Sequence, residues 1–273
     1  MTMRAMASGA VTKWVFTVLV GAVVGTTMTG CSFLDDLEDD GGNIDVFTAH
    51  HGTPTMEGEF PALGEPGMAR RFHNDQGWEI SLGEAYVTTA GVDLASCSGS
   101  LVKRVDLFWG PSAENVVDVA DTEPKGIGGV RTEPARFCQL QIRYGPYSFG
   151  EVNYDGADHA PPQNDSMEGQ TVLLRGFATK DDVTVDFEFV SDMRLNVVRD
   201  ISTVREGKPL QVERDQGFPV KIVLTKTYDR FFDGIDFADY SDDEIEAAVA
   251  AALELDSGVI YDVNVTPDAA ATN

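Results

Sequence analysis

The chain has 273 residues, with 45 acidic against 20 basic side chains and a formal charge of −25 at pH 7. Affinity for a nucleic-acid backbone needs clustered Lys and Arg, so this balance excludes a nucleic-acid binder. The one continuous apolar stretch lies at the N-terminus, which excludes a multi-pass membrane protein, and 42% hydrophobic residues exclude disorder by composition.

Residues 1–30 read as a targeting segment rather than as part of the fold. Arg4 and Lys13 give a positive start with no acid before Asp35, and Trp14 to Val24 is an apolar run of signal-peptide length, short for a membrane-spanning helix. Met28-Thr29-Gly30-Cys31 follows. Small residues before a cysteine at that distance resemble the lipobox of bacterial lipoproteins. The resemblance implies that the Cys31 thiol is diacylglycerylated, that the chain is cut just before it, and that the new amine is acylated. By the sorting rule of that family in enteric bacteria, Ser32 at the next position implies the outer membrane of a Gram-negative cell. The expectation is a protein held to the cell envelope by a lipid anchor.

Residues 31–46 carry six acids and a Gly pair after the cysteine, and read as a flexible tether. Residues 47–77 have no clear period and read as an irregular extended segment; they hold His50, His51 and His73. From Trp78 onward the pattern alternates at period two, the mark of half-buried strands. Trp78, Ile80, Leu82 and Tyr86 fall on one face, then Thr88 to Gly91 turns the chain into Val92-Asp93-Leu94. Val105, Leu107 and Trp109 make another strand, and residues 110–135 read as a long polar loop. Further strands run from Phe137 to Tyr144, Val172 to Phe177, Val183 to Phe189, Met193 to Val198, Phe218 to Leu224 and Val259 to Val265. Ser241-Asp242-Asp243-Glu244 is a capping box, and Ile245, Ala248, Val249, Ala252 and Leu253 follow at helical spacing. The fold expected over residues 78–273 is mainly β, an antiparallel immunoglobulin-like β-sandwich with one short C-terminal helix.

With Cys31 assigned to lipid, Cys97 and Cys138 remain, and an exported chain with an even remainder points to a disulfide between them; two free thiols or a two-cysteine metal site are the alternatives. Catalytic signatures are missing: the sequence has no Gly-x-Ser-x-Gly elbow, no His-Glu-x-x-His and no phosphate-cradling glycine loop, so an enzyme is not expected. The four histidines are His50, His51, His73 and His159, and His159 lies beside Asp155 and Asp158. Imidazole with carboxylate suits zinc or copper if the fold brings His50, His51, His159, Asp155 and Asp158 together, and Met56 adds a soft donor for copper. The plainer reading is surface histidines in polar loops. The acids from Asp233 to Glu244 lack the spacing of a calcium loop and read as a packed connection into the capped helix.

The stretch Glu133-Pro-Ala-Arg-Phe-Cys-Gln-Leu-Gln-Ile-Arg-Tyr-Gly145 resembles a strand entry of β-sandwich lipoproteins related to the methanobactin-associated copper-binding family. Arg136 stands where that family has a turn glycine. The resemblance implies the sandwich, and no binding residue is carried over from it. The reading is therefore a membrane-anchored extracytoplasmic lipoprotein that acts as a binding module, with a divalent metal or copper as a candidate ligand. The alternatives are a structural or protein-interaction component of the cell envelope, and an unrecognised hydrolase.

Overall fold

A computed structural model describes residues 41–148, 165–203, 207–214 and 218–262. Fourteen strands and one α-helix follow in chain order: β1 (Gly42–His51), β2 (Arg70–His73), β3 (Glu79–Ser96), β4 (Val102–Arg104), β5 (Asp106–Leu107), β6 (Ser112–Asn115), β7 (Lys125–Thr132), β8 (Ala135–Tyr144), β9 (Val172–Lys180), β10 (Val183–Ser191), β11 (Leu195–Asp200), β12 (Leu210–Val212), β13 (Val220–Thr227), α1 (Asp242–Asp256) and β14 (Gly258–Asp262). They form two sheets. The smaller runs β14-β13-β1-β7-β5; the larger runs β10-β9-β3-β8-β11, with β2, β4 and β6 also on β3 and β12 on β8. One apolar cluster joins the inward faces of both, from Ile44, Val46 and Ile222 on one side to Ile80, Leu140 and Phe189 on the other. The mainly β sandwich with a late helix is thus what the alternation predicts. One pairing departs from the antiparallel rule: β1 and β13 run parallel.

Three local expectations are corrected. Gly42–His51, divided in the sequence reading between a tether and an irregular segment, is the central strand β1, with Ile44 and Val46 fully buried. Thr88 to Gly91 does not turn the chain; β3 continues through it, with register shifts between Leu82 and Glu84 and between Thr89 and Gly91. Each bulge reverses the side-chain parity, so Ala85 and Val87 point into the core. Tyr86 instead packs against a second, smaller cluster of Tyr147, Met167 and Leu173. The loop expected over residues 110–135 contains β6 and β7. In β7, a Cβ at Gly128 would fall 2.4 Å from the Asp106 carbonyl oxygen, so glycine is what lets β5 lie against it.

Other features follow the sequence. The Ser241 side chain accepts from the Glu244 amide and the Glu244 carboxylate accepts from the Ser241 amide, a complete capping box, and α1 buries Ile245, Val249, Ala252 and Leu253. The acidic run before it is a packed connection: Phe231, Phe232, Ile235 and Phe237 are buried, and Asp236 accepts the Trp78 indole N–H at 3.0 Å. Cys97 and Cys138 are joined as a disulfide that ties the turn after β3 to β8, Cα to Cα 4.7 Å.

Candidate functional site

The inward face of β1 reads Ile44, Val46, Thr48, His50, and that of β13 reads Val220, Ile222, Leu224, Lys226. Parallel pairing sets His50 beside Lys226, so both strands change from apolar to polar at the same end of the sheet. Facing them from the larger sheet is Glu114 of β6, paired with Val87 of β3. Thr48 Oγ1 donates to Glu114 Oε2 at 2.5 Å, His50 Nδ1 lies 2.8 Å from Glu114 Oε1, and Lys226 Nζ contacts both Glu114 and Thr48. All four side chains are at least 98% shielded from solvent. Burial alone pushes the Glu114 carboxyl up, but the Lys226 ammonium and the His50 contact outweigh it and hold the group at about 2. The fold therefore carries a buried, charged bridge between its two sheets.

On the far edge of the imidazole, His50 Nε2 lies 3.2 Å from the Val119 carbonyl and 3.5 Å from Asp121 Oδ1. Tyr228 donates to Asp121 at 3.1 Å and meets the His50 ring edge-on at 5.6 Å. Burial, and then the neighbouring Asp121 carboxylate, push the Tyr228 hydroxyl up. Arg70, fully buried, donates to the carbonyls of Gly64, Val116, Val117 and Val119 and so pins the segment that carries Asp121. Glu114 and Asp121 thus flank opposite edges of one ring, and the Lys226 ammonium already sits on Glu114. That arrangement does not converge three donors on one point, and among the described residues no group of three or more His, Cys, Asp or Glu is placed to hold a metal ion.

The remaining sequence candidates are dispersed. His51 points to the opposite face of β1, as an adjacent strand residue must; its Nδ1 lies 2.8 Å from the Gly52 carbonyl and its ring packs on Phe60 at 4.6 Å. His73 ends β2 in register with Glu79, and Met56 is fully exposed. Cys31, Asp155, Asp158 and His159 lie outside the described residues.

A second site, not anticipated from the sequence, is an open hollow of about 540 Å³ on the outer side of β3 and β8, where β4 and β5 pass between the sheets. Arg104 of β4, Arg143 of β8 and Arg194, just before β11, line it together with Asn196 and Asp106; Val105, Leu107, Pro111 and Leu195 add apolar surface. Arg143 lies flat on the sheet because Gly91, its partner on β3, has no side chain: a Cβ there would fall 2.3 Å from the guanidinium. Asp93 bridges two of the cations, 3.2 Å from Arg104 and 3.4 Å from Arg143. Arg194 also borders a smaller hollow of about 320 Å³ against α1, lined by Asp243 and Glu246. The sequence signal for Arg143 was its outward phase beside Gln139 and Gln141. For Lys226 it was a charge in phase with Val220, Ile222 and Leu224.

No protein-family model matches the chain, and no curated protein matches it. Among solved structures, MbnP from Methylosinus trichosporium is similar over 68% of this chain and 76% of that one, at 11% identity and a TM-score of 0.36. A likeness of that extent carries no argument about function.

Proposed function

We propose that the chain is a lipid-anchored extracytoplasmic binding module rather than an enzyme. The anchor reading rests on the positive start, the apolar run and the Met28 to Cys31 lipobox, and Ser32 favours the outer membrane. The observation that carries the binding reading is the open arginine-lined hollow. In a chain of net charge −25, three arginines, Arg104, Arg143 and Arg194, line this one open surface. The buried bridge of Glu114, Lys226, Thr48 and His50, by contrast, is closed to solvent and its charges are matched within the fold, which suits a structural role. Zinc or copper handling retains one support, the two carboxylates flanking His50.

Two measurements test this. Cys31→Ala is expected to release the protein from the membrane fraction in soluble form; full retention would overturn lipidation as the anchor. A thermal-shift panel of small anions, divalent metals and neutral solutes on the full chain is expected to give a rise in Tm that substitutions in the hollow abolish. A rise abolished only by His50→Ala with zinc or copper would establish the metal reading in its place. A panel with no shift, alongside capture of an envelope protein, would establish an interaction component instead.

A further inference from the structure

We infer that the hollow between β4, β3, β8 and the start of β11 binds a small organic anion, its carboxylate or phosphate head on Arg143 and Arg194 and its short apolar body against Leu107, Pro111 and Leu195. The inference deepens the binding-module reading and rests on it.

The chain has 13 Arg and 7 Lys against 45 acids, yet three of those Arg line one hollow. Arg104 and Arg143 share Asp93, Asp106 adds one further negative charge, and Arg194 makes no ion pair among the described residues. Three cations against two anions leave a surplus of +1 at the hollow. Several other described cations are matched by acids at close range, Lys226 with Glu114, Arg175 with Glu84 and Glu188, Arg230 with Asp233 and Asp256, and Arg70 and Arg199 are taken up by backbone carbonyls. The three arginines at the hollow meet on an open surface.

The geometry supplies orientation. Arg143 is seated over Gly91 and braced by Asp93, so its guanidinium fork is held in place before any ligand arrives. A planar fork with several donors in fixed positions matches the two oxygens of a carboxylate or the oxygens of a phosphate, and such charge-assisted contacts are the strong class of hydrogen bond. The apolar wall selects against a bare inorganic ion. A volume of about 540 Å³ lies in the range of small-molecule sites and holds a head group with a ring-sized body. The acids Asp243 and Glu246, on the far side of Arg194, are the internal competitors for that cation.

The test is calorimetric titration of the full chain at low salt with benzoate, phenyl phosphate, inorganic phosphate and benzylamine. Saturable binding of benzoate or phenyl phosphate is expected, tighter than inorganic phosphate, with none for benzylamine; the relative affinity of the two aryl anions tells which head the site prefers. The double variant Arg143→Gln, Arg194→Gln is expected to weaken the aryl anion about tenfold or more. Gly91→Ala adds one methyl group beneath Arg143 and leaves every charge in place, and it is expected to weaken binding in the same direction; thermal melting of both variants confirms that they fold. Anion binding unchanged in the double variant, equal binding of benzylamine, or no binding of either aryl anion would each overturn the inference. In the thermal-shift panel, a neutral solute or a divalent metal that stabilises the chain, and no longer does so in Gly91→Ala, would overturn the anion while leaving the binding module intact.

Discussion

Removing the Glu114 charge is the sharpest perturbation the structure offers. Glu114→Gln keeps the shape and the hydrogen-bonding capacity of the side chain but leaves the Lys226 ammonium, 2% exposed, without its counter-charge. Taking away one partner of a buried pair costs about 3–5 kcal/mol. The carboxyl provides a second route to the figure. It is held at about 2 against an ordinary value of 4.5, and that gap corresponds to on the order of 3 kcal/mol of preference for the ionised form. For a domain of 150–250 residues, a loss of this size lowers Tm by roughly 6–20 °C. Glu114→Gln combined with Lys226→Met removes the orphaned charge as well, and much of the loss is expected to return, because a buried pair is replaced rather than broken. Urea unfolding of the four members of this cycle at pH 7 measures the terms. A single variant within about 1 kcal/mol of the parent, or a double variant no more stable than either single one, would refute the reading of Glu114–Lys226 as a matched buried charge pair.

The same group sets an acid limit. The folded-state value is depressed, so its contribution is fully present above about 4.5 and is lost as pH falls toward about 2; urea midpoints are expected to drop across that window and to lose this part of the slope in Glu114→Gln. Opening the 41-residue Cys97–Cys138 loop with Cys97→Ser is expected to cost on the order of 4 kcal/mol by the chain-entropy model, and unchanged thermal unfolding would mean the bond contributes nothing. Because both His50 nitrogens face groups of the fold, His50→Ala is expected to leave any zinc or copper affinity of the full chain unchanged in calorimetric titration; a weakening would place the metal at this ring.

What could be read from the sequence divides along a physical line. Strands whose alternation is uninterrupted, such as β10 with Val185, Phe187 and Phe189 inward, and a helix announced by its own cap, are local signals and were legible. β1 was not, because its inward positions pass from Ile44 and Val46 to Thr48 and His50, which is polar to the eye and buried in the fold. β7 carries three glycines and shows no pattern to follow, and the bulges in β3 reverse a parity that simple alternation carries forward. The site residues show the same limit. Glu114 lies 64 residues from His50 and Asp93 lies 11 from Arg104; such partnerships are set by sheet register, which the local pattern does not encode. His50 and His51 are neighbours in sequence, but strand geometry sends them to opposite faces.

The position of β1 has a consequence for how the molecule comes into being. The first described strand lies in the middle of its sheet, and its parallel partner is β13, with a separation of 176 residues between contacting segments such as Thr53 and Asp229. An emerging chain cannot assemble the smaller sheet in sequence order, because the central slot is flanked on one side by a strand synthesised near the end. Closure over so long a loop makes the pairing a late and slow step. Until then, β1 lacks one of its two flanking strands and carries an unpaired edge. The chain has to travel through synthesis and any translocation as an unfinished polymer, and its high negative charge then acts as a guard against self-association while the last strands arrive.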